Sequence, residues 1–595
     1  MNTKTEWDFS TLFKKEEDME QEKEKVEKEV SNFVEKWKNN SDFLSSPEKL
    51  KEALDDYEKL IRKAASGGKA HYYYWLKTQQ DQNSSELKAK YNKINEFAIK
   101  ISNDLQFFTL NISKIKEDNQ KIFLSSPILS EYKHYLEKAF IQSKYLLSEG
   151  EEKILNLKSK TSHENWDKML SLFLSKEERN VFDESGSFSK KNFSEISSLL
   201  QSTKKEVRDS SADALNDILE KNIDVAEQEI NSILEDKKIN DELRGFSRPD
   251  QNRHISDDLS TEVVNSLVKS VTDNFEISKK YYKLKASLFN VGKLEYHERN
   301  VPYGKIEKEF SFEESSKLIN KVFHSLDPEF SKIFSEFLKE GKVDVFPKKG
   351  KRYGAFCIWI SPEFPIYVML NHTNKLNDVL TIAHEFGHAI NGELSKKQNS
   401  LNYDSLTSTT EVASTFMEDF VFQELLKEST DEERLSLMMQ KLNDDISTIF
   451  RQVACYNFEF ELHEEFRKKG FLSKEEIGKI FHKNMLAYMG DSVEYTKESN
   501  NWWVSWHHLR RFFYVYSYAF GLLISKNLQK SIREDPAYIN DVKKFFSAGC
   551  SISPYTIFKN LGLDISQDTF WLSGIEEVKN LLHETQALAK RLGKI

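Results

Sequence analysis

Apolar side chains recur along most of this chain with a helical period and give way to a strand-like pattern in only two short stretches. Near the N-terminus Val26, Val30, Phe33, Val34 and Trp37 fall at i, i+4, i+7, i+8 and i+11, the single stripe of an amphipathic helix. Lys/Glu-rich segments of this kind run to about residue 200, and Ser148 and Glu151 have the spacing of a capping box ahead of Ile154 and Leu155. The helical pattern continues to about 290, broken near Arg244-Gly245-Phe246, and resumes from Leu376 to the end. Between these, residues 292–312 and 343–372 gather Gly, Pro and β-formers, as in VDVFPKKGKRYGAFCIWI and PIYVMLNHT. They are the strand candidates and predict one small sheet.

Composition narrows the picture. The 20 Gly and 10 Pro are about 5% of 595 residues, against an ordinary share of about 12%, so turn-rich sandwiches, barrels and propellers are excluded. Length alone suggests roughly four domains at about 150 residues each. Net charge is 86 − 96 = −10, which leaves no basic surplus for a phosphate backbone and argues against nucleic acid as a partner. Three cysteines, Cys357, Cys455 and Cys550, have no paired spacing and fit a reducing compartment. The run Phe512 to Ile524 is interrupted by Ser517 and Gly521 and falls short of the roughly 20 residues a membrane span needs. With no signal-peptide pattern at the N-terminus, the expectation is a soluble, cytoplasmic protein with no membrane partner.

The chemistry concentrates in NDVLTIAHEFGHAIN, residues 377–391. His384 and His388 of its HExxH motif lie one helical turn apart, where two imidazoles can share a zinc ion, and Glu385 is placed to take a proton from water. Asn377 or Asp378 can cap this helix, and Val379, Leu380, Ile382, Ala383, Phe386 and Ile390 supply its packing face. A catalytic zinc needs a third protein ligand, and the HExxHxxGxxH pattern fails, with Asn391 and Glu393-Leu394 at the relevant positions. A carboxylate on a later helix is therefore expected. In TTEVASTFMEDFVFQELL, residues 409–426, Glu411, Ser414 and Glu418 share one face opposite Phe416 and Phe420. Glu411 is the first choice of ligand, and Glu418 a partner that could orient a ligand imidazole.

A second cluster, WWVSWHHLRRFFYVYSYAFG at 502–521, holds His507, His508, Tyr514, Tyr516 and Tyr518. A His or Tyr donor can supplement a metal at a developing oxyanion. By composition alone, however, an aromatic core helix is the favoured reading of the run.

These elements resemble the oligoendopeptidase F family, within the wider group that contains thimet oligopeptidase and neurolysin. The resemblance rests on LSEGEEKIL (147–155), LRGF (243–246), PIYVMLN (365–371), DVLTIAHEFGHAIN (378–391), TEVASTFMED (410–419), RQVACYNFEFELH (451–463) and HHLRRFFYVYSYAFG (507–521), in family order over most of residues 100–580. It implies one Zn2+ per chain on His384, His388 and Glu411, with Glu385 as general base. It further implies His508, favoured over its neighbour His507 by the family spacing, and tyrosines among Tyr514, Tyr516 and Tyr518 as stabilisers of the tetrahedral intermediate or binders of peptide backbone, with His507, Tyr516 and Tyr367 as substrate-binding candidates. Where many members carry a His three residues after the second ligand, this chain has Asn391.

The implied fold is mainly α: a helical ellipsoid around a deep substrate channel, zincin-like, with a small sheet beside the zinc-binding helix. PIYVMLN, including Tyr367, would be an edge strand on which a peptide lies. One helical shell, with residues 1–200 as an N-terminal helical region and 201–595 as the catalytic domain, replaces the four domains suggested by length. The implied activity is zinc-dependent cleavage of internal bonds in short unstructured peptides. The alternative is a metallocarboxypeptidase or dipeptidase on the same scaffold, which would need a cationic pocket drawn from Arg352, Arg510 and Arg511.

Overall fold

The computed structural model describes residues 3–304, 308–406 and 408–595. Helix makes up 72% and strand 4%, as the scarcity of Gly and Pro requires. The chain packs as two compact units, each assembled from separated stretches. One comprises Met1–Lys144, Glu307–Lys427 and Leu528–Leu563; the other comprises Tyr145–Ile306, Glu428–Asn527 and Asp564–Ile595. The boundary expected near residue 200 is a division of the sequence, and it lies within a stretch of the second unit.

In the first unit the N-terminal stripe is buried as its spacing predicts. Val26, Val30, Phe33 and Trp37 on helix Glu16–Trp37 join one core with Leu50 and Leu54 of helix Pro47–Ala64 and with Phe97, Leu105 and Phe108 of helix Ser85–Ser113. A second core gathers Trp7, Tyr72, Leu76, Phe364, Tyr367 and Met369 and ties the first residues to a small sheet. There Trp7 Nε1 donates to the Val368 carbonyl at 2.9 Å.

That sheet has three strands, β1 (Val343–Asp344), β2 (Phe356–Ile358) and β3 (Tyr367–Met369). β3 is central, parallel to β1 and antiparallel to β2. PIYVMLN is therefore not an edge strand, contrary to expectation. Residues 366–370 are apolar on both faces and at most 1% exposed, the signature of a strand covered on all sides. β2, half-buried, is the lateral strand on the other side of the pairing.

The second unit is built on the 40-residue helix Lys205–Arg244. It ends where the sequence pattern breaks: Gly245 adopts φ 73° and the Phe246 N–H returns to the Asp241 carbonyl at 2.9 Å. The Ser148–Glu151 capping box forms as predicted. A hairpin of Glu178–Phe182 with Phe188–Asn192 has no counterpart in the sequence reading. Only Val181 of its ten strand residues is buried, so no apolar alternation marks it. Conversely, of the described residues in 292–312 only Leu294–Glu295 is strand.

Candidate metal centre and active site

Helix Leu376–Ser395 is fixed at its amino end by Asp378, whose carboxylate accepts from the backbone N–H groups of Thr373 at 2.6 Å and Lys375 at 2.9 Å. Its six packing positions are buried, which turns His384 and His388 toward the next helix, Thr410–Lys427. The two helices meet at Gly387. A Cβ there would lie 2.4 Å from the Ala413 carbonyl oxygen and 2.5 Å from Ser414 Cα, so only glycine allows the approach.

That approach delivers Glu411. Its Oε2 lies 3.3 Å from His384 Nε2 and 3.4 Å from His388 Nε2, and it accepts from Ser414 Oγ at 2.8 Å. One ligand atom from each of His384, His388 and Glu411 falls within 4.8 Å of the others. Glu418 Oε2 lies 3.2 Å from His384 Nδ1. Burial opposes a charge on His384, but the hydrogen bonds to Glu411 and Glu418 outweigh it and raise its pKa to about 10. Burial likewise disfavours ionised Glu411, and the two imidazoles reverse this, holding the carboxyl well below its ordinary value. Glu385 is 7% exposed. Burial raises its pKa against the lowering influence of His384 and His388, and the Cys357 backbone N–H of β2 supports the carboxylate.

The aromatic run divides between both of its readings. His508 lies in the 3₁₀ turn His507–Arg510, and Tyr518 in helix Tyr516–Glu534. Between them Phe512 and Phe513 adopt φ 51° and 59°, a left-handed kink in two bulky residues. The Phe513 N–H donates to Glu459 Oε1 at 2.9 Å, and the kink returns Tyr514 to His508, whose Nδ1 is hydrogen-bonded to the Tyr514 hydroxyl. The His508 and Tyr518 rings are 6.3 Å apart and those of Tyr514 and Tyr518 5.8 Å. Burial lowers the pKa of His508, helped by His507, Arg451 and Arg511. His507 faces elsewhere, with Nδ1 3.3 Å from Asp167.

Two expected substrate-binding side chains are structural instead. Tyr516 is fully buried and donates to Asp257 Oδ2 at 2.7 Å; Tyr367 is fully buried and donates to the Asp8 carbonyl at 3.0 Å. Arg510 is held by Glu229 through two bonds of 2.9 and 2.8 Å, so its guanidinium is not open for a carboxylate pocket, whereas Arg352 is exposed, lying over the Phe356 ring at 5.2 Å and bonded to Gln79. Asn391 donates to the Phe546 carbonyl at 2.6 Å. The contributions of Gly387 and Glu459 have no counterpart in the sequence pattern, and Ser414, placed there on the Glu411 face, has no role assigned; only the small residue inside HExxH hints at a helix contact. A further group, Asp209, His297 and Glu298, also converges, but Lys205 and Arg208 already neutralise it at 2.7–3.6 Å.

Two histidines of an HExxH helix meeting a glutamate of the next helix, in a mainly helical fold, define a metallopeptidase of the zincin kind. The model of peptidase family M3 matches residues 198–577, and that of oligopeptidase F matches residues 111–176. The chain belongs to peptidase family M3 and is a metalloendopeptidase. An oligoendopeptidase F homolog of Borreliella burgdorferi is 27% identical over 95% of both chains. Among solved structures, a Chlamydophila abortus protein assigned as a peptidase superposes with a TM-score of 0.86 at 24% identity over 98% of each chain. Oligoendopeptidase-F of Enterococcus faecium does so with 0.71 at 19% identity, over 97% of this chain and 99% of that one. Among the described residues no helix is long and apolar enough to cross a membrane.

Proposed function

We propose that the chain is a zinc-dependent endopeptidase of the cytoplasm that hydrolyses internal bonds of short unstructured oligopeptides, one zinc per chain being held by His384, His388 and Glu411. The observation that carries this reading is a pair of distances. Ligand arms of about 2.0–2.2 Å in tetrahedral geometry put the ligand atoms roughly 3.3–3.6 Å apart; Glu411 Oε2 lies 3.3 and 3.4 Å from the two imidazole nitrogens. Two imidazoles and one carboxylate are also the donor set of many zinc hydrolases. The names of the relatives, oligoendopeptidase F and its homologs, agree with it.

Bound zinc supplies positive charge that acidifies water and polarises a carbonyl. The other tasks belong to the chain. Glu418 takes the Nδ1 side of His384 and so turns Nε2 toward the shared point. Glu385 accepts a proton from the attacking water and passes it to the leaving amine. An extended peptide pairs with the lateral strand β2, not with β3. His508 and Tyr518 provide neutral donors for the oxyanion or the peptide backbone, each worth about 3–4 kcal/mol in comparable sites, and Tyr514 holds the His508 ring through Nδ1. With the Tyr514 O–H donating to Nδ1, the neutral His508 ring carries its proton on Nε2.

Glu385→Gln decides the matter. It should retain zinc by metal analysis and lose about 10²–10⁴-fold in kcat on an internally quenched, end-blocked peptide. Wild-type turnover by that variant would sink the mechanism. Failure of the wild-type enzyme to cut an end-blocked peptide that it cuts with free ends would favour the exopeptidase alternative.

A further inference from the structure

Helix Asp431–Asp445 passes into helix Gln452–Lys469 through a π-helical segment, Ile446–Arg451. Such segments have poorer hydrogen-bond geometry than the α-helix and are retained mostly where they aim a functional side chain. The last residue, Arg451, has a buried Nη1 with no hydrogen-bond partner, and it forms no ion pair with any described residue. Around it stand Tyr488, Cys455 and Tyr296, with Tyr495 adjoining. The hydroxyl oxygens of Tyr296 and Tyr495 are buried without a hydrogen-bond partner, and that of Tyr488, also buried, stands against Arg451 and Tyr282. Arg299 adds a second guanidinium, 4.4 Å over the Tyr296 ring and 4.8 Å over Trp502, and its Nε is also unpartnered. All of these residues belong to the second unit.

Nothing in this cluster supplies the missing negative charge. Burial pushes the Cys455 thiol up to about 11 and raises the Tyr488 and Tyr495 hydroxyls, so all three are neutral. Glu298 is paired with Arg208 at 2.7 Å, and Asp445 with Lys526 at 2.7 Å. Glu459 is pushed up to about 8 by burial and is itself neutral near pH 7. A guanidinium nitrogen buried without a counter-charge is costly, and the unpartnered hydroxyls of Tyr296 and Tyr495 with Arg299 Nε beside it make an arrangement that an anion would satisfy.

We infer that Arg451 and the hydroxyls of Tyr296, Tyr488 and Tyr495 bind a monovalent anionic group, supplied by a small inorganic anion such as chloride or by the terminal carboxylate of a peptide. The inorganic source stands without the peptidase reading; the carboxylate source rests on it. Both contain the same chemistry: one negative charge accepting several hydrogen bonds.

The test replaces sodium gluconate by sodium chloride at constant ionic strength and follows the unfolding midpoint of the full chain. For an inorganic ligand the wild type should show a saturable rise of about 4 °C. Arg451→Met should abolish it, and Tyr495→Phe, which removes one hydroxyl and little else, should weaken the apparent affinity severalfold. Glu385→Gln should keep the rise, which separates this site from the peptidase reading. For a peptide ligand there is no such rise; instead, amidation of the substrate C-terminus should raise KM about tenfold in the wild type, but not in Arg451→Met. A chloride response unchanged in both Arg451→Met and Tyr495→Phe, or no chloride response together with no penalty for amidation, overturns the inference. If Arg451→Met does not fold, Tyr495→Phe alone decides between these outcomes.

Discussion

His384 and His388 lie beside carboxylates on two helices locked together at Gly387, whereas His508 lies among tyrosines and cations on a 3₁₀ turn followed by a left-handed kink. The same side chain is tuned in opposite directions. Glu411 and Glu418 overcome burial and raise the pKa of His384 to about 10, while burial, aided by His507, Arg451 and Arg511, lowers that of His508. His254 and His463, elsewhere in the second unit, follow His508: burial takes the first down to about 4 and the second well below its ordinary value. Negative neighbours prepare an imidazole to face a cation; apolar and positive neighbours keep it a neutral hydrogen-bonding group. The environment, rather than the residue type, separates the histidine proposed as a ligand from the one proposed as a donor.

The sharpest way to break this contrast is to remove the charge that defines its first half. Glu411→Gln should cost about 10³-fold or more in kcat/KM and deplete the bound metal, measured by metal analysis beside the peptide assay. Full metal content in that variant would mean the carboxylate does not set the centre. A smaller loss, about 10²–10³-fold in kcat, is expected for His508→Ala with metal content unchanged. Loss of metal from His508→Ala would erase the distinction between ligand and donor. Smaller again, Glu418→Gln should weaken metal affinity about 10–100-fold by loosening the orientation of His384, read by competition with a chelator.

The half of the contrast that lies on regular helices was legible from spacing. His384, His388, Glu411 and Glu418 stand at separations that one helix face or a short return can bring together, and the helix pair carries them as the pattern implies. The other half depends on backbone that no period describes. Phe512 and Phe513 turn Tyr514 back to His508 through positive φ values that their residue types do not advertise, and the kink is held by Glu459 from 54 positions away. The same kink takes Tyr516 out of the set and buries it against Asp257, although its spacing made it an equal candidate. The sheet was legible as apolar content and not as order. PIYVMLN is the most strand-like segment because it is covered on both sides, and that coverage disqualifies it as the open edge. The exposed 178–192 hairpin lacks the apolar alternation by which strands are read.

His254 tests the donor half of the comparison on a residue outside the proposed chemistry. It is 1% exposed, with Nδ1 3.1 Å from Thr261 Oγ1, Nε2 3.1 Å from the Tyr456 hydroxyl, and Asp250 at 3.7 Å. Burial lowers its pKa to about 4 even though Asp250 opposes the shift. The unfolded chain takes up this proton near pH 6.5. Between about pH 6.5 and 4, then, the unfolded state binds a proton that the folded state does not, and stability falls as the pH falls. Above 6.5 the contribution is constant, and below about 4 both states are charged. The whole effect is at most about 3 kcal/mol, spread over the window and smaller at any pH inside it. In urea unfolding from pH 7 to 4, His254→Gln should lose this slope, so the stability advantage of the wild type over the variant shrinks on acidification. An advantage that instead grew as the pH fell would mean that Asp250 outweighs burial, and His254 would then belong with His384 rather than with His508.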